Sequence, residues 1–141
     1  MHCRFVAAQE TRALLTARKL LQSKHHDVEL SLRGVLRGVG LKVGLTTARN
    51  FAGRLRERVD GHPTLMAIAE ALLAAGAALG EQLRDVDKRL RDQAREDQRV
   101  RLLMTTPGVG VIVALTFVSA IDDPGRFRSS KAVGAHFGLT C

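Results

Sequence analysis

Residues 64–97 read TLMAIAEALLAAGAALGEQLRDVDKRLRDQARED. Leu65, Ile68, Leu72, Gly76, Leu79, Leu83, Val86 and Leu90 fall at intervals of 3, 4, 4, 3, 4, 3 and 4. That spacing lays them along one face of a single long helix, as a coiled-coil-like seam. Pro63 suits the first helical turn, where its missing N–H costs nothing. Alanine and glycine crowd residues 74–78, so a neighbouring helix can come close there. The second half alternates charge on the outer face, as a solvated helix does.

The seam needs a partner, and the stretch before it supplies one. Residues 8–36 run without proline in a helical pattern. Leu14, Leu21, Val28 and Val35 recur at sevens, with Leu32 and Val39 on the flanking stripe. RGVGLKVG, residues 37–44, holds three glycines and ends this helix. A short helix from Thr47 to Glu57 follows, with Thr46 or Thr47 as its N-cap. Asp60-Gly61-His62-Pro63 breaks it. The expected fold is all-α. A long antiparallel helical hairpin or coiled coil fills residues 1–98. A small helix-hairpin-helix-like bundle begins at residue 99.

That bundle rests on LLMTTPGVGVIVAL, residues 102–115. Val100 to Met104 reads as a short helix, Thr105 to Gly110 as a tight turn, and Val111 to Ile121 as an apolar helix. Gly108 and Gly110 lack a Cβ, so their backbone can approach a phosphate and can adopt positive φ. Val109 between them anchors the turn inward. The free N–H groups at Gly110, Val111 and Ile112 open the second helix, whose dipole favours an anion. Such a site reads the nucleic-acid backbone and not its bases. Arg99, Arg101, Arg126, Arg128 and Lys131 are the electrostatic helpers of this candidate site. The competing reading is a glycine turn between two packed helices, with the arginines as plain surface.

Charge agrees with the first reading. The 141 residues carry a formal net charge of +8, with a pI near 10.7. Most of the cations are arginine, whose planar fork matches phosphate. A balance this basic points to nucleic acid before an acidic membrane. Hydrophobic residues make up 45% and aromatics 4%, without Trp or Tyr, so Leu, Val, Ala and a few Phe must build the core.

Other chemistry is sparse. Cys3 and Cys141 stand near opposite ends, with no Cys/His spacing suited to zinc. His25 and Glu29 lie four apart beside Asp27, too few for a metal site. Asp122-Asp123 reads as a helix end before Pro124, and Ser129 as the N-cap of a last helix, 130–136. No Walker motif occurs. The N-terminus lacks a signal-peptide pattern, and Val109–Ala120 is too short for a membrane span. The expectation is a cytoplasmic protein with no membrane partner.

Residues 105–140, TTPGVGVIVALTFVSAIDDPGRFRSSKAVGAHFGLT, resemble the C-terminal segment of the DEDD-type insertion-sequence transposases, the IS-one-ten and IS-eleven-eleven group. PGVG, an apolar helix, an acidic pair, RF, and S-K followed by GLT carry the likeness. Residues 11–44 resemble the part that follows the family's RuvC-like domain. The resemblance implies DNA transposition by strand cleavage and rejoining. It implies a divalent metal ion in an acidic RuvC-like domain, and a serine nucleophile in the C-terminal domain. It further implies a structured guide RNA, and a coiled coil through which copies associate. By this likeness the acidic domain belongs before Met1 and the serine after Cys141. Ser129 and Ser130 are therefore not the nucleophile, no catalytic residue carries over, and this stretch needs no cofactor of its own. The expected function is that of a truncated, DNA-binding piece of a transposase, inactive alone, partnered by DNA, guide RNA, and another copy or a full-length relative. The alternative is a structural or oligomerisation remnant that binds no nucleic acid.

Overall fold

The computed structural model describes residues 4–122. Among them are five helices and no strand: α1 (Arg4–Gly38), α2 (Ala48–Val59), α3 (Pro63–Glu96), α4 (Gln98–Met104) and α5 (Val111–Ile121). The fold is all-α, as the periodicity predicts. The helix expected over 130–136 lies outside the described residues. Among the described residues two compact units form, one from residues 20–83 and one from 4–19 with 84–122.

In the first unit the end of α1 closes by hydrogen bonding. The Leu41 amide donates to the Leu36 carbonyl at 2.8 Å and the Gly40 amide to Arg37 at 3.0 Å. Gly40 sits at φ 82°, the left-handed turn that this cap requires. The cap aims Leu41 and Val43 back onto Leu32 and Leu36. Helix α2 adds Phe51, Leu55 and Val59, one buried stripe at four-residue spacing. Ala69 of α3 completes this core, with Leu65, Leu72 and Leu73 packed around it. Thr47 stands at the N-cap of α2 as expected, but its side chain makes no capping bond. Burying each of Leu32, Leu36 and Leu55 stabilises the unit by roughly 2 kcal/mol.

A Cβ placed on Gly76 would lie 3.4 Å from Val28 Cγ1. The small residues of α3 thus do admit α1. The stripes differ in detail from the expected ones. Val35, Val39 and Ile68 are exposed, while Leu36 and Ala69 are buried. A strict seven-residue repeat drifts around a straight helix of 3.6 residues per turn, which moves the contact from Val35 to Leu36.

In the second unit the start of α1 packs on the end of α3, again antiparallel. The Thr11 hydroxyl donates to Gln93 Oε1 at 2.8 Å, and Arg18 Nε lies 2.6 Å from Asp87 Oδ1. Leu90 and Ala94 of α3, Val100 of α4, and Ala114, Leu115 and Val118 of α5 form the core, with Leu14 and Leu15 against it. The first half of α3 is long and apolar enough, by length and composition, to cross a membrane.

Candidate nucleic-acid interface

Helix α4 begins where Asp97 caps it. Its carboxylate accepts from the Arg99 amide at 2.9 Å. The charge pattern extends the long helix through Asp97 and starts α4 at Val100, whereas α3 ends at Glu96 and α4 begins at Gln98. The cap interrupts that run, because a short carboxylate competes for the backbone at a helix start.

The turn after α4 is built by four residues. The Val109 amide donates to the Thr106 carbonyl at 3.1 Å across Pro107 and Gly108. Gly108 has φ 86°. Proline second and a left-handed glycine third make a type II turn. Val109 is half-buried and packs on the second unit's core, as expected of an anchor. Gly110 is the N-cap of α5, with φ −94° and ψ −177°, and no side chain caps the helix.

The two glycines therefore differ. Gly108 serves the backbone, since an L side chain is strained at its φ. Gly110 is extended, and a Cβ there would meet nothing within 4 Å. Positive φ was an expectation for both and holds for Gly108 alone. The fold does not require a bare residue at 110. Its bareness leaves the first amides of α5 open, and that turn of the helix contains no acidic residue to repel an anion. The amides of Gly110, Val111 and Ile112 come before any i−4 acceptor within α5.

The cations divide. Arg101 is exposed in the last turn of α4, next to the glycine turn. Arg99 is elsewhere. Its guanidinium gives two hydrogen bonds to Asp122, at 2.8 and 2.7 Å, and another to Asp97 at 3.1 Å. Asp122 caps the far end of α5 and is buried. Arg99 thus ties the start of α4 to the end of α5, about 9 Å along α4 from the turn at 1.5 Å per residue. It acts as a clamp within the unit, its donors taken up by Asp122 and Asp97. Hydrogen bonding to Asp122 raises its pKa above the ordinary value, against the opposing effect of burial, with Asp97 adding to the rise. Nothing in the sequence signals this pair, 23 residues apart. Arg126, Arg128 and Lys131 lie outside the described residues, as do Ser129 and Ser130.

Elsewhere Glu29 pairs with Arg33 and Asp27 with Lys24. No three His, Cys, Asp or Glu side chains come together among the described residues. The divalent metal implied by the resemblance finds no donor set among the described residues.

Residues 100–141 match the family described as Transposase IS116/IS110/IS902. The described part of that match is α4 from Val100, the glycine turn and α5. The chain is 30% identical over 115 residues to y4pF/y4sB of Sinorhizobium fredii, described as a transposase, covering 77% of this chain and 30% of that protein. It is 26% identical over 102 residues to the transposase for insertion sequence element IS1328 of Yersinia enterocolitica, covering 72% and 30%. Against the transposase for insertion sequence element IS1111A of Coxiella burnetii it is 25% identical over 139 residues, covering 95% and 38%. The chain thus spans about a third of the length of these relatives. No solved structure matches it.

Proposed function

We infer, for a chain that belongs to the IS116/IS110/IS902 family of transposases, that its α4–turn–α5 element holds the sugar-phosphate backbone of DNA during transposition. The element is read as a helix-hairpin-helix. One observation carries the reading: an extended, unfilled Gly110 leaves the first amides of α5 open beside a type II turn. Bare amides at a positive helix end are the donors a phosphate oxygen needs. Arg101 supplies charge from α4, and the cationic sequence Arg126, Arg128 and Lys131 is proposed to add to it. Residues 99–141 are then the start of a C-terminal transposase domain, and 1–98 a helical linker.

The remaining parts follow from the family. By this likeness a structured guide RNA is a further partner, and the strand chemistry of the family uses a divalent metal and a serine nucleophile. Self-association uses α1 and α3, on which Leu20, Leu30 and Met66 remain exposed. The protein works in the cytoplasm, where its DNA is.

Gel shifts with duplex DNA at several salt concentrations test the central step. Gly110→Val fills the open space at an N-cap cost of about 1 kcal/mol. The wild type shifts DNA with log K falling about 0.9 per neutralised phosphate for each unit of log salt. Gly110→Val binds at least tenfold more weakly with its circular dichroism unchanged. Equal binding by the folded variant leaves the turn as a mere connector between packed helices, the structural reading.

A further inference from the structure

The densest positive charge in the sequence falls in the other unit from the one that holds the glycine turn. Residues 33–58 hold seven Lys and Arg side chains against one acid, Glu57. They surround the link between α1 and α2, in the unit formed by residues 20–83. There the chain encloses an open depression of about 410 Å³, lined by Arg33, Arg37, Lys42 and the apolar Leu41, Val43 and Leu45. Three of its lining side chains are cations and none is an acid. The volume is within the ~300–1,000 Å³ range of small-ligand sites.

The depression has a rigid wall. Arg33 Nη1 donates to the Gly44 carbonyl at 2.7 Å. Its guanidinium carbon stands 5.0 Å from the centre of the Phe51 ring, and Glu29 takes its Nε at 3.4 Å. Arg33 is thus fixed by a carbonyl, a ring and a carboxylate. Gly44, at φ 77°, turns the chain that carries Lys42 past it. Arg37, Lys42 and Arg49 are exposed and have no ion-pair partner among the described residues. Arg56, by contrast, is taken up by Glu70 at 2.7 Å. Leu45 is 100% exposed at the rim. Helix α2 opens three residues later, with no acid in its first turn and no side-chain cap.

We propose that this depression is a second phosphate-backbone site, in which Arg37 and Lys42 each neutralise one phosphate of a nucleic acid strand while Leu45 lies against its sugars. Arg33 shapes the site, and Arg49, in the first turn of α2, adds a further exposed cation. A row of cations along an open surface suits a linear polyanion better than a single small anion, because successive phosphates meet successive cations. The site does not depend on the glycine turn.

The double variant Arg37→Ala/Lys42→Ala of the full chain tests it. The probes are duplex DNA, single-stranded DNA and single-stranded RNA of one sequence, with anionic phospholipid vesicles as a fourth. The charge-matched control is Lys24→Ala/Arg95→Ala, and the conservative variant is Arg37→Lys/Lys42→Arg. On the probe that occupies the site, the double variant lowers the log–log salt slope by about 1.8 for a duplex or about 1.4 for a single strand. The conservative variant keeps the wild-type slope. The nucleic acid that shows the loss identifies the source. A slope equal to the control's on all three overturns the proposal, and so does a loss confined to the vesicles. Gly110→Val separates the two sites: the slope change from Arg37 and Lys42 persists in its background even if the glycine turn binds nothing.

Discussion

Arg99 shows why a cation in a basic protein is not by itself a ligand contact. Asp122 is buried at the end of α5, and without Arg99 its carboxylate would have no charge partner in the described fold. Arg99→Ala should therefore destabilise the protein by about 2 kcal/mol, the scale of a charged hydrogen bond left unmade. Urea unfolding reads this as an earlier midpoint. Asp97 behaves as a pH-linked group. Burial would raise its pKa, but hydrogen bonds from Arg99 outweigh that and hold it below the usual carboxylate range. Its stabilisation is thus present above the unfolded value of about 3.9. It is lost as pH falls through the lower folded value. Asp97→Asn should flatten the acid limb of stability against pH, and an unchanged limb would remove Asp97 from that role. The glycines give a paired prediction. Gly108→Ser should cost about 1–2 kcal/mol for a left-handed side chain. Gly110→Ser should cost nothing, because serine is a favoured N-cap and the space is open. The turn was legible in Pro107 and Gly108. The separate duties of the two glycines were not, since both read alike until φ is known.

The helices themselves were largely legible. Leucine spacing located α3 to within a residue at each end, and the apolar run located α5. Two features escaped. The heptad on α1 points to Val35 and the flanking stripe to Val39, but the repeat's drift around a straight helix brings Leu36 inward, and the cap at Gly40 turns Leu41 back onto the core. The break at Asp97 escaped because its neighbours continue the charge pattern of α3. Gly76 makes the contact of α1 with α3 testable. Its Cβ position lies at ordinary contact distance from Val28, so Gly76→Ala should stabilise by about 0.5–1 kcal/mol through helix propensity. Gly76→Leu should lower the Tm by forcing the helices apart. A Tm unchanged by leucine would mean that α1 does not pack there.

For the whole molecule, charge and fold assign different tasks to different stretches. The +8 balance and its concentration at 33–58 were visible at once, but not that Arg99, at the start of α4, is neutralised internally by Asp122. Family membership was legible because PGVG and the residues after it are specific. Self-association through α1 and α3 should show in sedimentation as a mass above 15.3 kDa that Leu20→Asp/Leu30→Asp reduces. An unchanged mass would leave those leucines as plain surface. Three peptide groups open α5 toward the phosphate, and amide NMR observes them directly. On titration with duplex DNA at low salt, the Gly110, Val111 and Ile112 signals should shift and saturate, and more DNA should be needed as salt rises. DNA binding that leaves those three amides unmoved would contradict the account.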